Sequence, residues 1–279
     1  QTSDWWLRSP GLNSDIFSGP LRNAAYVTSD GNLRPYGASI SNDYAVRPAF
    51  CLNLSSVLFT FAAQGGKPSG KIGELSEVPD YDGNEWRLTL KDYGRLFTAR
   101  AIEPASVSSL TGGSVQITYR GAWTGNNEFV SVLLCDNSGT VLYYGNIAHD
   151  SEYGTATLNI PAGLAPGDYT LKVFSEQYNG FYSNRYTDYA SPFQNISLKI
   201  LPPAETPNAS FTATGDSGGT LSNVDTNMRY SVVGGETWNN ITGTTMEITD
   251  VREEKDVKVY RIGDGTNTAD SAVQTIDVT

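Results

Sequence analysis

Histidine, cysteine and methionine are nearly missing from this chain, at one, two and two residues in 279. The single imidazole, His149, stands in the turn Ala148-His149-Asp150-Ser151 with no second His or Cys close by in sequence, so a surface position is expected rather than a metal set. Cys51 and Cys135 sit in apolar, strand-like contexts in segments assigned to different domains. Both read as free, buried thiols that pack as small hydrophobes, not as a disulfide. There is no Gly-x-Ser-x-Gly elbow, no His-Glu-x-x-His, no phosphate-binding glycine loop and no Cys-x-x-Cys. Paired carboxylates for glycoside hydrolysis act across a cleft without fixed spacing, and nothing in the chain selects such a pair. The expectation is a non-enzyme with no cofactor.

Long apolar runs and clustered cations are missing as well. No stretch approaches the roughly 18 apolar residues of a membrane-spanning helix. Lys and Arg number 19 against 30 Asp and Glu, a net charge of −11, and the cations are scattered. Binding to a phosphate backbone needs them clustered, so a nucleic-acid partner is not expected.

What the chain does have is 28 Gly, 16 Tyr and only 18% charged residues, a texture that suits an all-β extracellular protein. The stretch from Asp4 to Leu54 stands out. It opens with Asp4-Trp5-Trp6-Leu7-Arg8-Ser9-Pro10-Gly11 and closes with Val46-Arg47-Pro48-Ala49-Phe50-Cys51-Leu52-Asn53-Leu54. Between these apolar bookends, residues 12–44 are Asn, Asp, Ser, Gly, Tyr and Arg with two short β-like runs, 24–27 and 38–41. Tyr and Trp give large contact area at low rotamer cost, and Ser, Asn and Gly give adaptable hydrogen bonds, which is how recognition surfaces are made.

The pairing of Trp5-Trp6-Leu7-Arg8-Ser9-Pro10-Gly11 with Val46-Arg47-Pro48-Ala49-Phe50 resembles a family of gut-bacterial surface proteins. The signature domain of that family looks like the C-type-lectin-like fold, shared in outline with formylglycine-generating enzymes and with retroelement-diversified receptor-binding proteins. The resemblance implies ligand display on a bacterial cell surface or cell wall, with a glycan or protein as partner. By chemistry and position in that polar region, Asn13, Asp15, Phe17, Arg22, Asn23, Arg34, Tyr36, Asn42 and Tyr44 are the expected contact residues, while Trp5, Trp6, Arg8, Arg47 and Pro48 read as scaffold, the Trp rings filling the core and the Arg side chains meeting backbone carbonyls. In that fold the two motifs belong to the C-terminal half. The first 58 or so residues would bury only part of a core, so an upstream N-terminal fragment of the same protein is a further expected partner. The chain departs from formylglycine-generating enzymes in lacking cysteines placed to act together. It also lacks the Glu-Pro-Asn or Gln-Pro-Asp plus Trp-Asn-Asp set of animal C-type lectins, which makes calcium-independent binding the expectation.

Three domains are expected: 1–100, the C-terminal part of a C-type-lectin-like domain with a β-hairpin extension; 101–201, an immunoglobulin-like β-sandwich; and 202–279, a second, small β-sandwich. The hairpin is read from residues 86–90 and 95–99 around Lys91-Asp92-Tyr93-Gly94. Gly65-Gly66-Lys67-Pro68-Ser69-Gly70 reads as a turn or mobile loop. Asp80-Tyr81-Asp82-Gly83-Asn84-Glu85 lacks calcium-loop spacing and reads as turn chemistry. Alternating strands at 114–119, 129–134, 141–144, 154–160, 169–174 and 196–200, with turns about every ten residues, predict the first sandwich. The aromatic loop 176–189 is expected to fold back over the sandwich edge. Pro202-Pro203-Ala204-Glu205-Thr206-Pro207 reads as a stiff linker, Trp238 as a core aromatic of the last domain, and 252–256 as a solvated charge run.

Overall fold

The computed structural model describes residues 4–10, 23–46, 52–63, 66–67, 70–178, 187–215, 217–251 and 256–278, without the side chains of 8–10, 23, 46 and 187. The chain is all-β and divides into two units, Gln1–Leu54 and Ser55–Thr279. Among the described residues the one helical turn is Leu54–Ser56, and no helix is long and apolar enough to cross a membrane.

In the first unit, β1 (Trp5–Pro10), β2 (Asn23–Val27), β3 (Leu33–Ser39) and β4 (Ala45–Val46) form one sheet in the order β3-β2-β1-β4, with β1 and β4 parallel. Bulges on both sides of β2 shape it. β1 pairs Trp6 with Tyr26 and then Pro10 with Ala24, so residues 7–9 face the single Ala25. β3 pairs Arg34 with Tyr26 and Ala38 with Ala24, so Pro35, Tyr36 and Gly37 face the same residue from the other side. Gly37 takes the positive φ of +77° that such a bulge asks for. Ala25 is the only buried hydrophobic among this unit's described residues. The rest of its packing is aromatic: Tyr44 lies 4.6 Å from the Trp6 ring and 4.8 Å from the Tyr26 ring.

The second unit begins with β5 (Val57–Ala62), β6 (Ser76–Glu77), β7 (Trp86–Lys91), β8 (Thr98–Ala101), β9 (Ala105–Ser108) and β10 (Gly113–Arg120). It continues with β11 (Glu128–Cys135), β12 (Val141–His149), β13 (Tyr153–Ile160), β14 (Gly167–Gln177), β15 (Thr187–Ala190) and β16 (Gln194–Leu201). Strands β10, β13 and β16 alternate buried and exposed residues, the period-2 signature of one wet and one dry face. All six strands expected for the sandwich are present. The sheet β13-β10-β8 packs on a nine-stranded sheet, and Val115, Ile117, Leu158, Val132, Leu134, Leu171, Val173 and Leu198 fill the space between.

The nine-stranded sheet is also covered on its outer face. There Phe61, Leu133, Cys135, Tyr144, Phe174 and Ala190 form a second cluster with Phe59, Tyr178 and Phe193 against it. Cys135 is free and buried as expected; Cys51 lies outside the described residues. Burial on both faces explains why β11 reads Phe-Val-Ser-Val-Leu-Leu-Cys with no exposed position.

Two expectations are corrected here. The hairpin around Lys91-Asp92-Tyr93-Gly94 does not form: β7 pairs with β5 and, in parallel, with β15, whereas β8 crosses to pair with β10. The chain changes sheets between them, and Arg95 is buried in the crossing. Gly121 lets that crossing pass, since a Cβ there would stand 2.1 Å from the Leu96 carbonyl oxygen. The boundary near Arg100 moves to Leu54 for the same reason, because β5 and β7 are strands of the sandwich's own sheet.

The last segment holds β17 (Ser210–Ala213), β18 (Gly218–Ser222), β19 (Met228–Ser231), β20 (Asn239–Asn240), β21 (Thr245–Thr249), β22 (Val257–Arg261) and β23 (Gln274–Ile276). Two sheets, β17-β18-β21 and β20-β19-β22-β23, enclose Leu221, Met228, Ile248, Val257 and Val259. Trp238 is not in that core; half-buried, it packs edge-on against Tyr260 at 4.7 Å. The proline linker is extended but docked: the Ala204 N–H donates to Ala269 O at 2.8 Å and the Ala269 N–H to Pro202 O at 2.9 Å. Most of the charge run lies outside the described residues.

Two predictions follow from this packing. A chain beginning at Ser55 keeps cooperative unfolding. One beginning at Ile102 loses Lys67 and Arg95, the cations paired with buried Glu176, Asp188 and Glu128, at about 3–5 kcal/mol for each stranded carboxylate. Circular dichroism melts of the two chains check this. The second prediction concerns acid. Backbone N–H groups of Thr268 and Asn267 hold the Asp264 carboxyl well below its ordinary 3.8, and the Arg261 guanidinium lowers Asp225. Depressed carboxyls stabilise the fold above their unfolded value and lose that contribution as pH falls toward the folded one. The midpoint for residues 202–279 therefore drops below about pH 4, and an Asp225→Asn/Asp264→Asn variant shows a flatter profile over the same range.

Candidate functional site

The expected contact residues divide by what the structure describes. Asn13, Asp15, Phe17 and Arg22 lie outside the described residues, as do Arg47 and Pro48, and of Asn23 only the backbone is described. Arg34, Tyr36, Asn42 and Tyr44 remain, and they do not have one role. The β3 bulge leaves Tyr36 65% exposed, flanked in sequence by exposed Arg34 and by Leu33 and Ile40, which are also exposed. Asn42 is exposed and its amide donates to the Tyr44 hydroxyl at 3.3 Å. Tyr44 is half-buried between the rings of Trp6 and Tyr26. Partial burial and the Tyr44 hydroxyl push the Tyr26 phenol above its ordinary value, so it stays protonated.

The loop that carries β2 into β3 is held by its own side chains. Asp30 accepts from the Asn32 amide at 2.8 Å and from the Thr28 hydroxyl, which lowers its carboxyl. Asp4 accepts the Ser29 N–H at 2.8 Å and ties the loop to the start of β1. Tyr36 and Arg34 are thus presented from a strand whose turn is fixed.

A second surface, in the other unit, was not foreseen. Trp123 is 46% exposed between two clefts. One, of about 570 Å³, is lined by Gly94, Leu96, Gly121, Thr124 and Glu152; the other, of about 390 Å³, by Gly125, Asn126, Asn127, Glu128 and Gln177. Beneath the indole the Arg95 guanidinium lies 4.2 Å from the ring centroid. Arg95 grips Glu128 in two-pronged fashion, at 2.6 and 3.0 Å, and Glu128 also accepts from the Gln177 amide at 3.0 Å. The result is an aromatic plate on a rigid ionic bed with side-chain amides at its rim. The sequence carried a faint signal for it, an indole inside the Gly- and Asn-rich stretch Gly121-Ala122-Trp123-Thr124-Gly125-Asn126-Asn127.

Other expected features find their places. His149 is exposed, its ring 4.7 Å from Phe129. Tyr81 braces its own turn by accepting the Glu85 N–H at 3.0 Å and donating to Glu85 O at 2.8 Å. Of the aromatic loop, Tyr178 folds back onto Phe129 at 5.0 Å; residues 179–186 lie outside the described residues. No group of three or more His, Cys, Asp or Glu suited to a metal occurs among the described residues.

The family described as Domain of unknown function (DUF6273) matches residues 1–54, the same span as the first structural unit. No curated protein matches the chain.

The Trp123 bed supports a prediction by double-mutant cycle. Arg95→Ala strands the Glu128 carboxylate and destabilises by about 3–5 kcal/mol. With Glu128→Gln also present the loss is smaller than the sum of the two single variants by about 0.5–3 kcal/mol, measured by denaturant unfolding.

Proposed function

We propose that this chain is a non-catalytic binding protein of a bacterial surface, with a recognition face on residues 1–54 carried by β-rich modules. The observation that carries the reading is the β3 bulge. It spends a small unit's limited packing to push Tyr36 into solvent beside Arg34, with Leu33 and Ile40 also exposed. Large exposed side chains along one short stretch of so small a unit suit a contact surface for a glycan or protein ligand. Trp123 supports a second contact on the other unit, because an indole face with amides at its rim suits stacking on a sugar ring with hydrogen bonds to its hydroxyls.

A second reading is an assembly component whose first unit mates with an upstream segment. The small core favours it, since Ala25 alone among the described hydrophobics of that unit is buried. Intact mass and native electrophoresis of the protein purified from its source separate the two, a companion polypeptide marking assembly.

The binding reading is tested on glycan and protein arrays. Arg34→Ala/Tyr36→Ala is expected to weaken the strongest hit at least about tenfold without moving the melting midpoint, because both side chains are exposed. Trp123→Ala is expected to weaken glycan hits alone. Unchanged binding in all three positions would sink the assignment.

A further inference from the structure

The outer face of the nine-stranded sheet holds a charged group where none belongs. Lys67, from the glycine-rich stretch after β5, sends its Nζ inward to lie 2.6 Å from Glu176 Oε2 on β14 and 2.6 Å from Asp188 Oδ2 on β15. The three side chains are 2%, 0% and 0% exposed. Aromatic rings close around the amine: Tyr178, Phe59 and Tyr144 have their centroids 5.0, 5.1 and 5.9 Å from Nζ. The Tyr144 hydroxyl donates to Glu176 Oε1 at 2.7 Å, which fixes the orientation of that carboxyl. Burial keeps this phenol protonated and thus a donor. Arg87 Nη1 lies 3.7 Å from the same oxygen, Asp188 Oδ2.

As a permanent ion cluster this arrangement is poor. One amine and two carboxylates are taken out of water, and burying such charges is offset only when geometry and partners are near ideal. As a reacting set it is well placed. An amine in contact with a carboxyl group, a second carboxyl positioned to move protons and no bulk water are the requirements for amide formation by condensation.

We infer that Lys67 and Asp188 join through an amide bond between Nζ and Cγ, formed by the protein itself with Glu176 as proton carrier. The protons and bonds balance without any co-reactant. One proton passes from the Lys67 ammonium to the Asp188 carboxylate, giving an amine and a carboxylic acid. The Nζ lone pair attacks Cγ, the C–N bond forms, and the carbonyl π pair moves onto the other oxygen, Oδ1. Glu176 takes a second proton from Nζ. As the carbonyl re-forms, the C–OH bond breaks and the hydroxyl leaves with the proton from Glu176 as water. Glu176 ends as it began, and the third proton stays on the amide nitrogen. Within the aromatic cage the product removes one buried cation and one buried anion, and bulk water does not reach it to reverse the step. Glu176 is assigned the carrier role because its other oxygen is already held by Tyr144, whereas Asp188 has the cation beside it.

The bond would tie two segments 121 residues apart, linking the edge of the sheet nearest the unit's start to β15. Intact mass of the unmodified full chain under denaturing conditions is the test. It is expected to fall short of the sequence mass by one water, about 18 Da, and peptide mapping to show a branched species joining residues 67 and 188. Lys67→Met and Asp188→Ala are expected to show their full sequence masses and to run more slowly on denaturing gels, because the internal loop is open. Glu176→Gln is expected to fold with Tyr144 still bonded and to form the bond much more slowly. The native chain decides even if a variant fails to fold. Full sequence mass, with residue 67 recovered in a linear peptide, overturns the proposal, and so does a branch at Glu176.

Discussion

The structure depends on one constraint: the β11–β14 strand pair is buried on both faces, and carboxylates are buried with it. Toward β10 and β13 it presents Val130, Val132, Leu134, Leu171 and Val173, which need no partners. On and around the same pair stand Glu128, Glu176 and, on the adjoining strand, Asp188, all buried. A carboxylate in such a place must be paired, because its desolvation is otherwise uncompensated. The pairing cations all come from the segment between Ser55 and β8: Lys67 meets Glu176 and Asp188, Arg87 meets Asp188, and Arg95 meets Glu128. That segment therefore belongs to the sandwich as much by electrostatics as by its strand pairing. Its path, β5 and β7 along one edge of the nine-stranded sheet and then a crossing to the other sheet through Arg95, brings each cation to its carboxylate.

The same constraint separates what could be read in the sequence from what could not. The strands β10, β13 and β16 have one wet face, so their alternation is visible in the letters, and the turn residues between them are equally visible. Lys67 stands in a run of Gly, Pro and Ser, and a Lys there is almost always solvated, so nothing local marks it as the centre of an aromatic cage. The hairpin expected at Lys91-Asp92-Tyr93-Gly94 has good turn chemistry, and the turn exists. What the letters omit is that Arg95, two residues before the apolar Phe97, is drawn into the interior by Glu128. A buried salt bridge between residues 33 apart leaves no periodic trace.

The first unit shows the complementary case. Its polar, aromatic character was legible, and so was the coincidence of a short span with a small core. The division of labour among its aromatics was not, because it comes from register. Tyr44 and Tyr36 are both Tyr in a polar stretch. Pairing places one in the Trp6–Tyr26 stack, and the bulge opposite Ala25 puts the other in solvent. Two bulges about a single alanine are a property of strand pairing, and no window of sequence contains both β1 and β3.

These features bear on how a binding role and a rigid carrier are compatible. Recognition surfaces tolerate variation when the residues that touch a ligand are not the ones that hold the scaffold. In the first unit Arg34 and Tyr36 are exposed on a strand whose turn is fastened by Thr28, Asp30 and Asn32. In the second, Trp123 rests on Arg95, whose position is fixed by Glu128 below the surface. Each of these exposed residues is thus backed by a local ionic or hydrogen-bonded frame. Substituting the exposed side chain leaves the frame paired, whereas substituting the frame strands a buried carboxylate or frees a turn. In both units, then, the residues that could meet a ligand are also the ones the fold can do without.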